Sequence, residues 1–239
     1  MPLLANKTAL VTGASRGLGL AISKELASLG ASVIMLARNS DLLSQNLSNL
    51  PIRNASQEHH TITCDLRDLS SIPNAISQPF VKNTSILINC AGISQNSLLL
   101  RTSPQAIEDL ITTNLTAPII LTRHMTKHLI SNHPANVVNI SSVLGLKGTR
   151  GTSVYAATKA GLVGFTKSLA MELGPKKVRC NCISPGLVTE TDMGKGLVYE
   201  TAMGDEGVPV RDVVRAVLGV LQNESVTGHN LVVDRGFLC

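Results

Sequence analysis

Lys7-Thr-Ala-Leu-Val-Thr12 runs straight into Gly13-Ala-Ser-Arg-Gly17-Leu-Gly19, after which Leu20, Ile22, Leu26 and Leu29 recur at helical spacing up to Gly30. The short apolar run reads as a buried strand, the recurring positions as an amphipathic helix, and Gly30 as its C-terminal cap. Strand, glycine loop and helix N-terminus together make a phosphate cradle. Backbone N–H groups and the helix dipole face the anion there, and glycines allow its close approach. Glycine triplets also occur in plain turns, so the flanking strand and helix are what give this one meaning.

Outward from that unit, a second strand, Ser32-Val-Ile-Met-Leu-Ala37, ends at Arg38. In a dinucleotide fold an acid here accepts the ribose 2′-hydroxyl of NAD, whereas an arginine accommodates the 2′-phosphate of NADP. No acid is present, and Arg38 with Arg16 offers two cations to a phosphate. Both could equally be solvated surface arginines. A polar helix over residues 39–50 follows, and then a strand, His60-Thr-Ile-Thr-Cys64, that ends at Asp65-Leu66. His59 and His60 are adjacent and would point to opposite faces, which makes them poor metal ligands. The next strand, Ser85-Ile-Leu-Ile-Asn89, leads into Cys90-Ala91-Gly92. Asn114 begins or interrupts a helix running to about His133.

Val137-Val-Asn-Ile140 ends in Ser141-Ser142, and a glycine-rich turn then opens a helix at Tyr155-Ala-Ala-Thr-Lys159 that runs to about Gly174. Tyr155 and Lys159 are four apart and share one helix face. An ammonium beside a phenol favours the phenolate, pulling a group of ordinary pKa about 10 toward the range of a useful proton donor. Ser142 could reach the same substrate oxygen from across the cleft. Taken alone, Tyr155 and Lys159 could also be an exposed amphipathic pair. The chain continues with a strand over Val178–Ile183, the turn Ser184-Pro185-Gly186-Leu-Val188, and a glycine-rich stretch from Gly194 to Val208. A helix over Pro209–Gln222 and a closing strand over Thr227–Asp234 complete it. Strands alternating with helices imply parallel pairing and right-handed crossovers, hence one doubly wound α/β domain over residues 1–239.

Composition narrows the function. Of 239 residues, 44% are hydrophobic and 15% charged, as in a compact globular protein. No apolar run approaches the roughly 18 residues of a membrane span. Met1–Lys7 is too short for a signal-peptide core before the first strand and lacks an Arg-rich amphipathic character. The expectation is an intracellular protein of the cytoplasm or of the mitochondrial matrix. Cys64, Cys90, Cys180, Cys182 and Cys239 show no metal-ligand spacing and read as reduced thiols, so no metal is expected. The net charge is +5, yet the cations are scattered and there are no Trp, two Tyr and three Phe. Nucleic-acid recognition needs a basic stripe or stacking aromatics, and neither is visible. The charge suits an anionic small ligand or an acidic carrier protein.

Ser142, Tyr155 and Lys159 in that order, with the Thr12-Gly-x-x-x-Gly-x-Gly19 loop, resemble the short-chain dehydrogenase/reductase family, and the match covers essentially the whole chain. The resemblance implies a Rossmann fold with a seven-stranded parallel sheet. Tyr155 would then protonate the developing alkoxide, Ser142 would hydrogen-bond it, and Lys159 would hold the ribose and lower the tyrosine pKa. Asn114 would hold a water in a proton relay. NADPH/NADP would contact Gly13, Ser15, Arg16, Gly17, Leu18, Gly19, Arg38, Asp65, Leu66, Asn89, Ala91, Gly92, Tyr155, Lys159, Pro185, Gly186 and Val188. By this likeness Asp65 faces the adenine amino group; its plain alternative is a cap for a helix from about Asp68.

Asn89-Cys-Ala-Gly92 looks like the family's Asn-Asn-Ala-Gly element with cysteine second. The match loosens after Gly186. Four residues precede Thr191-Asp192-Met193 where three are common, the substrate loop is shortened, and Arg235 stands where glycine is more usual. Ser141-Ser-Val-Leu-Gly-Leu-Lys-Gly148 and the two arginines look most like 3-oxoacyl-[acyl-carrier-protein] reductases and related carbonyl reductases. That branch implies a carrier-linked or small acyl substrate and a homo-oligomer, usually a tetramer, with the helices after Asn114 and Tyr155 at its interface. Lys176, Lys177, Lys127 and His128 are the expected contacts for an acidic acyl carrier protein. Rival readings are a quinone, sugar or other carbonyl reductase of the same family, and a cofactor-binding subunit without activity.

Overall fold

The computed structural model describes residues 3–198 and 200–239. Among the described residues there are seven strands: β1 Thr8–Thr12, β2 Ser32–Ala37, β3 His60–Thr63, β4 Thr84–Asn89, β5 Ala135–Ile140, β6 Val178–Pro185 and β7 Asn230–Val233. They form one sheet in the order β3-β2-β1-β4-β5-β6-β7, and every pair is parallel. The helices are α1 Gly17–Ser28, α2 Ser40–Leu47, α3 Ile72–Ala75, α4 Pro104–Ile111, α5 Ala117–Ser131, α6 Ser153–Leu173 and α7 Val210–Gln222. The doubly wound topology agrees with the alternation in the sequence.

Side chains alternate across the sheet with a period of two, and that alternation fills two cores. On one face Ala9, Val11, Val33, Met35 and Ile88 pack with Ile22 and Leu26 of α1 and with Val213 and Val217 of α7. On the other, Leu10, Ile34, Leu87 and Val137 pack with Leu121 and Met125 of α5 and with Leu169 and Leu173 of α6. Burying a side chain of this size contributes about 1.5–3 kcal/mol.

In a βαβ layout each helix runs back against its strands. The C-terminal ends of the strands and the N-terminal ends of the helices therefore share one edge of the sheet, where the point of reversed strand order opens a crevice. This places Gly13–Gly19, Ser142 and Tyr155 together. It also corrects the expected carrier contacts. Lys176 and Lys177 follow the far end of α6, about 27 Å along the axis from Tyr155 at 1.5 Å per residue. The Lys177 carbonyl accepts from Ala135 N at the start of β5, at the edge opposite the crevice. Lys127 and His128 lie in the last turns of α5, at the same far edge. Within one protomer none of the four borders the crevice. A catalytic residue at the start of a long helix gives no such position to cations at its end.

The polar helix over 39–50 is shorter than expected. It begins after Asn39, whose side chain accepts from Leu42 N, and stops at Leu47. No helix among the described residues is long and apolar enough to cross a membrane.

Candidate active site

The floor of the crevice is the end of β5 fastened to α6. Ser141 Oγ donates to the Lys159 carbonyl at 2.7 Å, and Lys159 Nζ donates to the Ile140 carbonyl at 2.8 Å. Ser142 starts a tight turn, Val143–Gly145, and its Oγ accepts from Leu144 N at 3.1 Å. That turn lies directly on α6. A Cβ on Gly145 would stand 2.7 Å from Ala160 N and 2.8 Å from the Lys159 carbonyl carbon. Glycine there is what lets Ser142 approach the helix that carries Tyr155.

Lys159 is 5% exposed, and its Nζ sits 5.6 Å from the centroid of the Tyr155 ring. Burial pulls its ammonium down to about 8, with Cys90 and Cys182 acting weakly the other way. Burial in turn pushes the Cys90 thiol up to about 12 and the Cys182 thiol up to about 11. Both stay neutral at physiological pH, so neither supplies a thiolate to the lysine.

Asn114 interrupts the helix. Residues Thr112–Thr116 form a π-helical turn between α4 and α5, a distortion that recurs at functional positions. The turn aims Asn114 inward, where it is fully buried. Its Oδ1 accepts from Ile93 N at 2.8 Å, and its Nδ2 donates to the Ile93 carbonyl at 2.9 Å and to Thr158 Oγ1 at 3.3 Å. A Cβ on Gly92 would reach within 3.3 Å of Asn114 Oδ1 and 3.5 Å of Lys159 Nζ. Gly92 thus keeps clear the space shared by those two polar groups.

Opposite this floor is the glycine loop. Gly13 has φ +67°, and a Cβ there would stand 2.8 Å from Ala91 Cα, so the loop packs directly on the end of β4. A Cβ on Gly19 would collide with the Gly13 carbonyl. Helix α1 starts after Arg16 with no side-chain cap and no acid in its first turn. Its first N–H groups are therefore not engaged by a capping side chain, and the dipole favours an anion, as a nucleotide phosphate requires. Arg38 is exposed at the end of β2. Hydrogen bonds from Arg67 are the main cause holding the Asp65 carboxyl below its ordinary range, with Arg38 a minor contributor.

Residues 7–201 match the profile of the short chain dehydrogenase family. The chain belongs to that family.

Among its relatives, carbonyl reductase family member 4 of Danio rerio is 36% identical over 238 residues, covering 97% of this chain and 98% of the relative. The 3-oxoacyl-[acyl-carrier-protein] reductase of Bos taurus is 35% identical over 240 residues, covering 97% and 98%. A solved short chain dehydrogenase from Burkholderia cenocepacia J2315, in complex with NADP, superposes with a TM-score of 0.90 at 29% identity. The match covers 99% of each chain.

Within this oxidoreductase family frame, the structure places the expected residues as follows. Ser142, Tyr155, Lys159 and Asn114 converge on one side of the crevice. Gly13, Ser15, Arg16, Gly17, Leu18 and Gly19 form the other, with the loop tied down by Asn46 Nδ2 donating to the Ser15 carbonyl at 3.0 Å. The side chain of Asn89 turns away from the crevice. It donates to Asn139 Oδ1 at 2.8 Å and to Thr122 Oγ1 at 3.1 Å, inside the core. Asp65 is not a helix cap, because Asp68 accepts from Ser70 N and takes that position. The Asp65 carboxylate instead accepts from Arg67, the closest contact being 2.7 Å. Leu66 is buried in the core on the α5 face, while Ala91 packs against that core; Pro185 ends β6, and Gly186 and Val188 follow it at the crevice edge.

Sequence reading missed Gln95 and Thr12. Gln95 Oε1 accepts from Val154 N at 2.8 Å and from Tyr155 N at 3.1 Å, capping α6 from 60 residues away. Thr12 Oγ1 accepts from Cys90 N and Ala91 N, both at 3.0 Å, and so aligns the ends of β1 and β4. Gln95 belongs to no local pattern, so spacing offers no clue to it; Thr12 opens the glycine-loop motif, but its bonds across to β4 are not visible in that spacing.

The described residues of 187–208 form a further wall and include no helix. Arg16 Nη1 reaches Asp192 Oδ2 at 2.8 Å, with side chains 69% and 72% exposed. Val208 N donates back to the Leu187 carbonyl, closing this segment into a loop.

Proposed function

We propose that the protein reduces the carbonyl of a 3-oxoacyl thioester to the 3-hydroxyacyl product with NADPH, a step of fatty acid synthesis. The observation that carries the reading is the buried Ser142, Tyr155, Lys159 and Asn114 floor facing an uncapped helix start, with no acid in the first turn of α1 and an arginine, Arg38, at the end of β2. NADPH, when bound, supplies the hydride that goes to the carbonyl carbon. Tyr155 Oη donates the proton that the resulting alkoxide oxygen needs, and Ser142 Oγ hydrogen-bonds that oxygen while charge builds on it. The Lys159 ammonium favours loss of the phenolic proton by its charge, and Asn114 holds the water through which that proton is replaced.

Gly13, Ser15, Arg16, Gly17, Leu18 and Gly19 would hold the pyrophosphate by main-chain N–H groups, and Arg16 and Arg38 would receive the 2′-phosphate. Asp65 and Leu66 would serve the adenine, Asn89 (through its main chain), Ala91 and Gly92 the ribose, and Pro185, Gly186 and Val188 the nicotinamide.

The name of the bovine relative supports the thioester, and that of the zebrafish relative supports a second reading, reduction of other carbonyls such as quinones. An acyl carrier protein would approach the crevice side, where Lys147 and Arg150 are exposed on the loop between Ser142 and Tyr155. The assembly is proposed to be a homotetramer, formed through α5 and α6. The test is a rate comparison across 3-oxoacyl thioesters, quinones and sugars with NADPH and with NADH. The reading requires the highest kcat/KM on a thioester with NADPH. A quinone preferred over every thioester would replace it with the second reading, and equal rates with both nucleotides would remove the role given to Arg16 and Arg38.

A further inference from the structure

Arg235 occupies a position that suits glycine in two respects. Its φ is +55°, the left-handed region that side chains rarely adopt. The next residue, Gly236, is also left-handed, at φ +83°. Together they reverse the chain after β7, and the Asp234 carboxylate accepts from Gly236 N at 2.9 Å and from Leu238 N at 3.0 Å. An arginine here also leaves its Nε buried without a hydrogen-bond partner. Both features oppose folding locally.

What the side chain does instead is hold the substrate wall. Arg235 Nη2 donates to the Met203 carbonyl at 3.1 Å and to Glu206 Oε2 at 3.3 Å. The Arg235 carbonyl accepts from Met203 N at 3.2 Å, so main chain and side chain grip the same residue. The guanidinium is largely buried, with 22% of the side chain exposed. On its other side the turn meets the loop between Ser142 and Tyr155. Lys147 Nζ donates to the Phe237 carbonyl at 3.1 Å and stands 4.6 Å from the centre of the Phe237 ring. The C-terminal turn also backs the start of the wall, since Gly186 N donates to the Val233 carbonyl at 2.8 Å. The wall segment, the loop between Ser142 and Tyr155, and the end of β6 therefore meet on residues 233–237.

We propose that Arg235 is a positioning residue for the carbonyl substrate: it fixes Thr201–Glu206 against the C-terminal turn and so sets the shape of the substrate side of the crevice. It acts through that segment and leaves the cofactor side alone, because its contacts reach neither the glycine loop nor the Ser142 turn. The proposal rests on the family's reductase chemistry and does not require the substrate to be a thioester.

The test is Arg235→Gly, since glycine takes φ +55° without strain and the turn should survive. Acetoacetyl-coenzyme A and menadione are the substrate probes. In the cofactor-free enzyme, amides of residues 200–206 should exchange with solvent at least about tenfold faster while the rest of the chain is unchanged. KM for the probe that is turned over should rise at least about fivefold, with kcat and the NADPH dissociation constant within about twofold of wild type. Arg235→Lys, which keeps a cationic donor group, should recover most of the loss. If acetoacetyl-coenzyme A is not reduced, the thioester reading fails, and exchange and menadione still decide the role of Arg235. Wild-type exchange in 200–206 together with an unchanged KM would overturn the proposal. Faster exchange across the whole chain with a lowered melting temperature would also overturn it, by placing Arg235 in the stability of the fold.

Discussion

The two sides of the crevice are held by different kinds of contact. The floor, from Ile140 to Gly145 and along α6, is fastened by buried hydrogen bonds between groups that water does not reach, as with Lys159 at 5% exposure. The wall from Leu187 to Val208 is fastened by turns, by an exposed ion pair between Arg16 and Asp192 at 69% and 72%, and, over Thr201–Glu206, by Arg235. Buried polar contacts lose heavily when one partner is removed, whereas exposed pairs contribute little. The proposed function thus puts the chemistry on the stiff side and the choice of substrate on the adjustable side.

Substitutions should expose that asymmetry, beginning with Lys159. Lys159→Ala should lower turnover at least about a hundredfold and weaken NADPH binding as well, because one ammonium serves both. In the wild type, kcat/KM should fall as pH rises through about 8, where the buried ammonium is lost. A profile that stays level from neutrality to well above that value would detach Lys159 from the reaction. Stability has the opposite sign. The folded value lies below the ordinary 10.5, so between the two the unfolded chain binds more protons. Lys159 therefore opposes folding fully below about 8, and that opposition fades as pH rises through the window. Thermal melts of wild type and Lys159→Met across this range should show the gain in the wild type alone.

Gly145→Ala comes next. The added methyl would press on the α6 backbone at Ala160 and Lys159, and overpacking of this kind costs about 1–3 kcal/mol. The melting temperature should drop by roughly 3–10 °C, and turnover should fall with it as the Ser142 turn is pushed off the helix. A melting temperature equal to wild type would mean that the floor is as adjustable as the wall. Asp192→Asn should have the smallest effect. Losing an exposed pair should shift melting by less than about 2 °C, and a larger shift would show that the wall is stiffer than its contacts suggest.

Much of this was legible before the structure. The β2 boundaries and the stop of α1 near Gly30 follow from local patterns, and the order of strands and helices implied the topology. Tyr155 and Lys159 were legible because helical spacing is a local rule. Gln95 was not, because its bond to Tyr155 N joins residues far apart in the chain. The cations after α6 were misplaced for a related reason: nearness in sequence to an active helix says nothing about which edge of the sheet its end reaches. The sequence around Asn114 suits either a helix start or a break, and the π-helical turn over Thr112–Thr116 shows it to be a break. Arg235 stood out as a departure, but its grip on Met203 needed the fold of the wall.

The central claim, that Tyr155 on this stiff floor is the proton donor for carbonyl reduction, is tested most directly by Tyr155→Phe, which removes one hydroxyl. Turnover of the preferred carbonyl substrate and NADPH affinity should be measured on the same preparation. The account predicts a loss in kcat of at least about a hundredfold, with melting temperature and NADPH dissociation constant unchanged. Near-normal kcat in the variant would contradict it.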